Sequence, residues 1–143
     1  MSQHIRLWDY SAGQDWCHTN SGSIDSWVHN AVTGNSQGGA EIWIGGRAGG
    51  TYAGESIALR GSTQDLLIGD HHETFLEAQR DNTPFWGRLG PIRISNVVRY
   101  RANFVPEIRW DVDEATVAYW TMGDIENGVL IDRSGNNHHG QIE

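Results

Sequence analysis

The chain has 143 residues, a length that fits one domain and allows about two thirds of the unfolded surface to be buried without a disulfide framework. Hydrophobic residues make up 38%, charged residues 20%, and seven Trp, four Tyr and three Phe are present, which excludes a disordered chain. A formal charge of -8, with all ten basic residues Arg, excludes the basic stripe of a nucleic-acid binder, Schiff-base chemistry and a phosphate-loop Lys.

The dominant pattern is short β-type runs separated by Gly, Asn, Asp and Ser. In chain order, strands are expected over residues 4–8, 27–33, 41–44, 56–59, 65–68, 86–95, 116–120, 129–131 and 138–142. Pro91 cannot donate a ladder hydrogen bond and is expected at an edge, a bulge or a strand start. A single short helix is expected within 95–100, opened by a Ser95 or Asn96 cap. The weakly patterned stretch from Asp70 to Pro84 reads as a long loop, with a short helix through 74–80 as the alternative. Many short strands and almost no helix predict an all-β fold, an antiparallel β-sandwich, jelly roll or barrel, in a single domain covering residues 1–143.

The N-terminal MSQHIRLWDY lacks the basic start and apolar stretch of a secretory leader. Either a cytoplasmic protein or a chain that begins downstream of its export signal is expected. No apolar run approaches the roughly 18 residues of a membrane-spanning helix. Cys17 stands alone, which excludes an internal disulfide and a Cys-rich zinc site. It reads as a small half-buried hydrophobe ahead of a nucleophile.

Several segments resemble one family in order. Ser26-Trp27-Val28-His29-Asn30-Ala31-Val32-Thr33 is similar to the "W-h-H-v-A-v-t" strand of laminin G-like domains, within the concanavalin A-like lectin and glucanase superfamily. Glu41-Ile42-Trp43-Ile44-Gly45-Gly46 resembles the following hairpin, and Leu66-Leu67-Ile68-Gly69 the "l-x-I-G" strand. Phe85-Trp86-Gly87-Arg88-Leu89-Gly90-Pro91-Ile92-Arg93-Ile94-Ser95 resembles the closing strand, continued by Val98-Arg99-Tyr100. Thr116 to Trp120 and Asp132 to Gly140 look like the element that usually opens such a domain, yet here it closes the chain.

The resemblance implies a concanavalin A-like sandwich and a non-catalytic module that recognises carbohydrate or a protein surface, in an extracellular or cell-surface setting. The displaced opening motif leaves two arrangements. Either a compact or permuted sandwich forms, with 116–142 in place of the missing first strands, or a fragment completes its sheets with a second copy. A homo-oligomer is expected in either case. The resemblance also implies calcium near the opening and closing motifs. The usual acidic pair is replaced by Gly90-Pro91, so Asp132 is the one carboxylate candidate, against an Asx-type turn at Asp132 and Ser134.

Other constellations have plainer explanations. The pairs His71-His72 and His138-His139 suit zinc by chemistry, but neighbours on a strand face opposite ways. Asp111, Asp113 and Glu114 look like a solvated connection rather than a sugar hydrolase's carboxyl pair. Residues 45–50 read as a hairpin loop rather than a phosphate cradle. Trp27, Trp43 and Trp120 are expected in the core, and Trp16 and Trp86 as candidates for an exposed platform. Trp86, Asp70, Asp81, Asn82 and Arg88 are therefore the expected ligand-binding residues, an aromatic face with hydrogen-bonding groups around it. The rival class is an assembly module that pairs through sheet edges or faces and binds no small ligand; a glycan-active enzyme stands third.

Overall fold

The computed structural model describes residues 4–9, 14–20, 26–35, 39–52, 66, 68 and 87–142. The chain divides into two compact units, one of Met1–Ala58 with Pro91–Glu143 and one of Leu59–Gly90. Ten strands are described: β1 (His4–Asp9), β2 (Gln14–Asn20), β3 (Asn30–Asn35), β4 (Gly39–Ile44), β5 (Arg47–Tyr52), β6 (Ile92–Ser95), β7 (Thr116–Trp120), β8 (Ile125–Glu126), β9 (Val129–Leu130) and β10 (Gly140–Gln141). They pair antiparallel in small sheets, and no helix occurs among the described residues. The strand-rich reading of the sequence therefore holds at the level of an all-β chain.

β1 and β2 form a hairpin with Leu7 opposite Cys17 and a bulge between Leu7 and Trp8. The sequence reading missed β2, because Gln14-Asp15-Trp16-Cys17-His18-Thr19-Asn20 carries polar residues at nearly every position and no apolar alternation. β2 lies against β5 and β4.

β4 is the middle strand of the β3-β4-β5 sheet. Ile42 and Trp43 are successive residues, so they point to opposite faces, and both are fully buried. The strand is thus covered on both sides. Ile44 pairs with Arg47 around a two-residue turn, Gly45-Gly46, with φ of 57° and 78°. Positive φ at both positions is the geometry that matches the twist of a hairpin, and glycine takes it without a steric cost. Residues 45–50 are therefore a tight turn plus the start of β5, not a loop throughout. The expected strand at 27–33 begins three residues later, at Asn30, and leaves Trp27 outside it, 70% exposed instead of in the core.

The expected strand at 86–95 shrinks to β6, which starts directly after Pro91, as a residue without an N–H requires. β6 pairs with β7, Ile92 opposite Trp120 and Ile94 opposite Ala118, with a bulge before Ser95. The helix expected within 95–100 does not form. Ser95 ends β6, and Asn96 donates its N–H to the Ala115 carbonyl at 3.0 Å, which closes the long 96–115 connection at its base instead of starting a helical turn. β7 is well covered, with Thr116, Ala118, Tyr119 and Trp120 all buried. β8, β9 and β10 make a small sheet around an Asn127-Gly128 turn, Glu126 pairing with Val129 and Leu130 with Gly140.

In the Leu59–Gly90 unit, Leu66, Ile68 and the stretch 87–89 are exposed. Leu66 and Ile68 are not in a strand, contrary to the expectation for 65–68. The expected strand at 56–59 and the 70–84 loop, with its alternative helix, lie outside the described residues.

Candidate functional site

The 96–115 connection folds back over the Trp43 face of β4 and brings aromatic residues together. Tyr100 and Phe104 stack with ring centroids 3.6 Å apart and planes 6° from parallel. His29, just ahead of β3, meets Tyr100, Phe104 and Trp110 edge-on at 5.8, 5.3 and 5.7 Å. Trp43 lies against the Tyr100 and Phe104 rings and donates its indole N–H to the Thr33 hydroxyl at 3.0 Å. Trp110 packs on Tyr119 of β7 and carries the Arg93 guanidinium 4.8 Å above its ring, a cation–π contact. Edge-to-face rings of this kind contribute beyond their buried area, because positive ring edges meet negative faces.

Two polar atoms in the cluster are buried without a hydrogen-bond partner among the described residues: His29 Nδ1 and Trp110 Nε1. Burial of the His29 ring, and then the positive charge of Arg93, hold its pKa below the ordinary 6.5. The imidazole is therefore held neutral where a charge would face both a low-polarity surround and a cation.

Beside the stack is a recess of about 270 Å³ lined by Arg93, Arg99, Tyr100, Phe104, Val105 and Glu107. Phe104, one of its lining residues, donates its N–H to the Gly46 carbonyl at 2.9 Å, and Gly45 donates to the His29 carbonyl at 2.8 Å. Arg99 is held by a two-pronged pair with Asp113, both bonds at 2.6 Å, and by a bond from its Nε to the Ser95 hydroxyl at 3.0 Å. Thr116 donates its hydroxyl to Asp113 at 2.8 Å. The bonds from Arg99 and Thr116 hold the Asp113 carboxyl well below the usual carboxylate range. Asp111, Asp113 and Glu114 are exposed, and Asp113 is a tether for the connection rather than half of a carboxyl pair in a cleft.

The Asp132 turn is a second built feature. Asp132 is 5% exposed, and both carboxylate oxygens are engaged. Oδ1 accepts from the Tyr119 and Ser134 N–H groups at 2.9 and 2.8 Å; Oδ2 accepts from the His138 N–H at 3.0 Å and lies 2.7 Å from the Ser134 hydroxyl. Burial alone would raise its pKa, but these donors outweigh it and bring the carboxyl down to about 2. The same turn supplies Arg133 N–H to the Tyr119 carbonyl at 2.7 Å and Asn136 Nδ2 to the Thr116 and Val117 carbonyls at 3.0 Å. Side chains and backbone of 132–136 thus occupy the edge of β7 that β6 leaves open. Trp120 Nε1 reaches the His138 carbonyl at 2.9 Å, and the Asp132 N–H is accepted by His139 Nδ1 at 3.0 Å. Calcium takes six to eight oxygens, and an ion at Asp132 would have to displace these donors. Among the described residues no three His, Cys, Asp or Glu side chains come together as a metal site.

Of the expected binding residues, Arg88 is described and exposed; Trp86, Asp70, Asp81 and Asn82 lie outside the described residues, as do His71 and His72. The side chains of Trp16 and Cys17 are likewise outside. The recess residues Arg93, Tyr100, Phe104 and Glu107 were not singled out from the sequence. Their one signal was the alternation of Arg and aromatic residues in Arg99-Tyr100-Arg101-Ala102-Asn103-Phe104, which reads equally as the end of a strand pattern. No family model, curated protein or solved structure matches the chain.

Proposed function

We propose that the chain is a non-catalytic binding module of the laminin G-like kind, its small sheets forming a concanavalin A-like sandwich, and that it recognises carbohydrate or a protein surface. The recess beside the Tyr100–Phe104 stack is the observation that carries this reading. Its volume of about 270 Å³ lies just under the roughly 300–1,000 Å³ of drug-sized ligand sites, so it suits one ring or one side chain. Its lining joins apolar ring edges to guanidinium and carboxylate groups, the mixture that packs against C–H surface and pairs with hydroxyls or amides. Among the described residues no helix is long and apolar enough to cross a membrane.

The test is a glycan array and a peptide array, with affinities of any hits measured by titration calorimetry on the parent and on the Arg93→Ala and Glu107→Ala variants. A hit weakened at least about 10-fold in either variant, equivalent to about 1.4 kcal/mol, supports the reading. No hit on either array, or hits indifferent to both substitutions, sinks it. The assembly reading is favoured by Val105 and Ile108, which are 88% and 87% exposed on the same connection. It predicts a mass in light scattering that rises with concentration, falls with Val105→Ser and Ile108→Ser, and is accompanied by no array hit.

A further inference from the structure

We propose that Asn127 is a site of spontaneous deamidation, converting to aspartate and isoaspartate through a succinimide, and that the change unlocks the C-terminal sheet. Asn127 and Gly128 form the whole two-residue turn between β8 and β9, at φ of 51° and 81°. Both are exposed, and space for 4 Å around the missing Gly128 side chain is empty. The Gly128 carbonyl accepts from the Ile142 N–H at 3.2 Å, while its own N–H stays outside the Glu126–Val129 ladder pair.

The chemistry needs only water. The Gly128 amide nitrogen, after losing its proton to solvent, attacks Asn127 Cγ; the N–Cγ bond forms, the Cγ–Nδ2 bond breaks and ammonia leaves. Water then opens the ring at one carbonyl or the other, giving aspartate or isoaspartate. The following residue sets the rate, because its side chain crowds the attacking nitrogen. Of the nine Asn, Asn20 and Asn35 precede serine, Asn82 precedes threonine, and Asn30, Asn96, Asn103, Asn136 and Asn137 precede Ala31, Val97, Phe104, Asn137 and His138; Asn127 alone precedes glycine, which has no side chain to crowd the nitrogen.

The consequence follows from the pairing. Isoaspartate routes the backbone through Cβ, adding a methylene to a turn whose two-residue length sets the Glu126–Val129 register. The Gly128–Ile142 bond then loses its geometry, and β10 loses a support. The new carboxylate also adds negative charge beside Glu126, in a chain already at -8.

The experiment is to hold the folded chain at neutral pH and body temperature, and to follow it by peptide mapping, ammonia release and hydrogen exchange. Conversion at Asn127 is expected to run several-fold ahead of every other Asn, with both products present and with faster exchange at Val129, Leu130 and Ile142 in the isoaspartyl form. Asn127→Gln should cut the ammonia release several-fold while the other residues keep their exchange protection. Two results overturn the proposal: Asn127 intact while another Asn converts, or conversion confined to chain unfolded in denaturant. Ammonia released from the Asn127→Gln variant at the parent's rate overturns it as well.

Discussion

A carboxylate buried as deeply as Asp132 stays ionised because each of its oxygens meets an N–H or O–H donor, and those donors belong to β7 and to the turn that covers it. Removing the group leaves the buried Tyr119 N–H unpaired, where an orphan costs about 1–3 kcal/mol, and takes the acceptor from the part-covered Ser134 and His138 N–H groups. Asp132→Ala is therefore expected to destabilise by about 2–4 kcal/mol, read as a shift in the urea midpoint. Asp132→Asn keeps an acceptor toward Tyr119 but points an amide N–H at the His138 N–H, so a smaller loss of about 1–3 kcal/mol is expected. If both variants unfold within about 0.5 kcal/mol of the parent, the ordinary range for surface changes, the carboxylate does not hold this edge. The Arg99–Asp113 pair differs in kind. Asp113 is close to half exposed, and pairs open to solvent contribute little because water and salt screen them.

At the scale of elements, the β4–β5 hairpin and the 96–115 connection meet at one glycine. A Cβ at Gly46 would collide with the Phe104 carbonyl oxygen, and its φ is 78°. Gly45 has a φ of 57° but open space around it. The two positions separate the cost of left-handed backbone from the cost of close approach. Gly45→Ala should lose only the conformational term, about 1–2 kcal/mol. Gly46→Ala should lose that term plus the Phe104–Gly46 hydrogen bond, about another 1 kcal/mol, and should loosen Tyr100 and Phe104 from Trp43. Thermal melts of the two variants, with near-ultraviolet circular dichroism of the aromatic cluster, check this. Equal losses in the two variants would mean that the connection does not rest on the hairpin.

For the whole molecule, acid stability should fall in two separate ranges. His29 has its pKa lowered from 6.5 by burial and by Arg93, so below that value the unfolded chain binds a proton that the folded chain resists. Stability is complete above pH 6.5 and declines as the pH drops beneath it. The carboxyls of Asp113, Asp124 and Asp132 are also lowered, from 3.8. Their contribution is present above that pH and is lost below it, for Asp132 as the pH passes about 2. Urea midpoints across pH at constant ionic strength should thus show a shallow fall starting near pH 6.5 and a steeper one below about pH 4. In His29→Gln the first should vanish and the second remain. A single fall below pH 4 in the parent would mean that the histidine titrates as freely as in the unfolded chain.

Sequence alone was enough for the β class and for the exact limits of β7, because Thr116-Val117-Ala118-Tyr119-Trp120 is β-branched or aromatic at every position but Ala118 and needs no partner to be read. It was also enough for burial of Trp43 and Trp120 and for the Asx-type alternative at Asp132 and Ser134, while for Pro91 it left a strand start as one of three alternatives. Tertiary structure decided the rest. β2 and β5 are strands because partner strands supply their hydrogen bonds, although one is polar and the other glycine-rich. Trp27 carries the same ring as Trp43 but lies before the strand, and it is 70% exposed where Trp43 is buried. The recess joins β6 to a connection whose apolar residues follow neither a strand nor a helix period, and it forms where Phe104, far along the chain from Gly46, bonds to that residue of the hairpin. Local pattern reports what a residue prefers; only the folded chain decides which distant groups satisfy it.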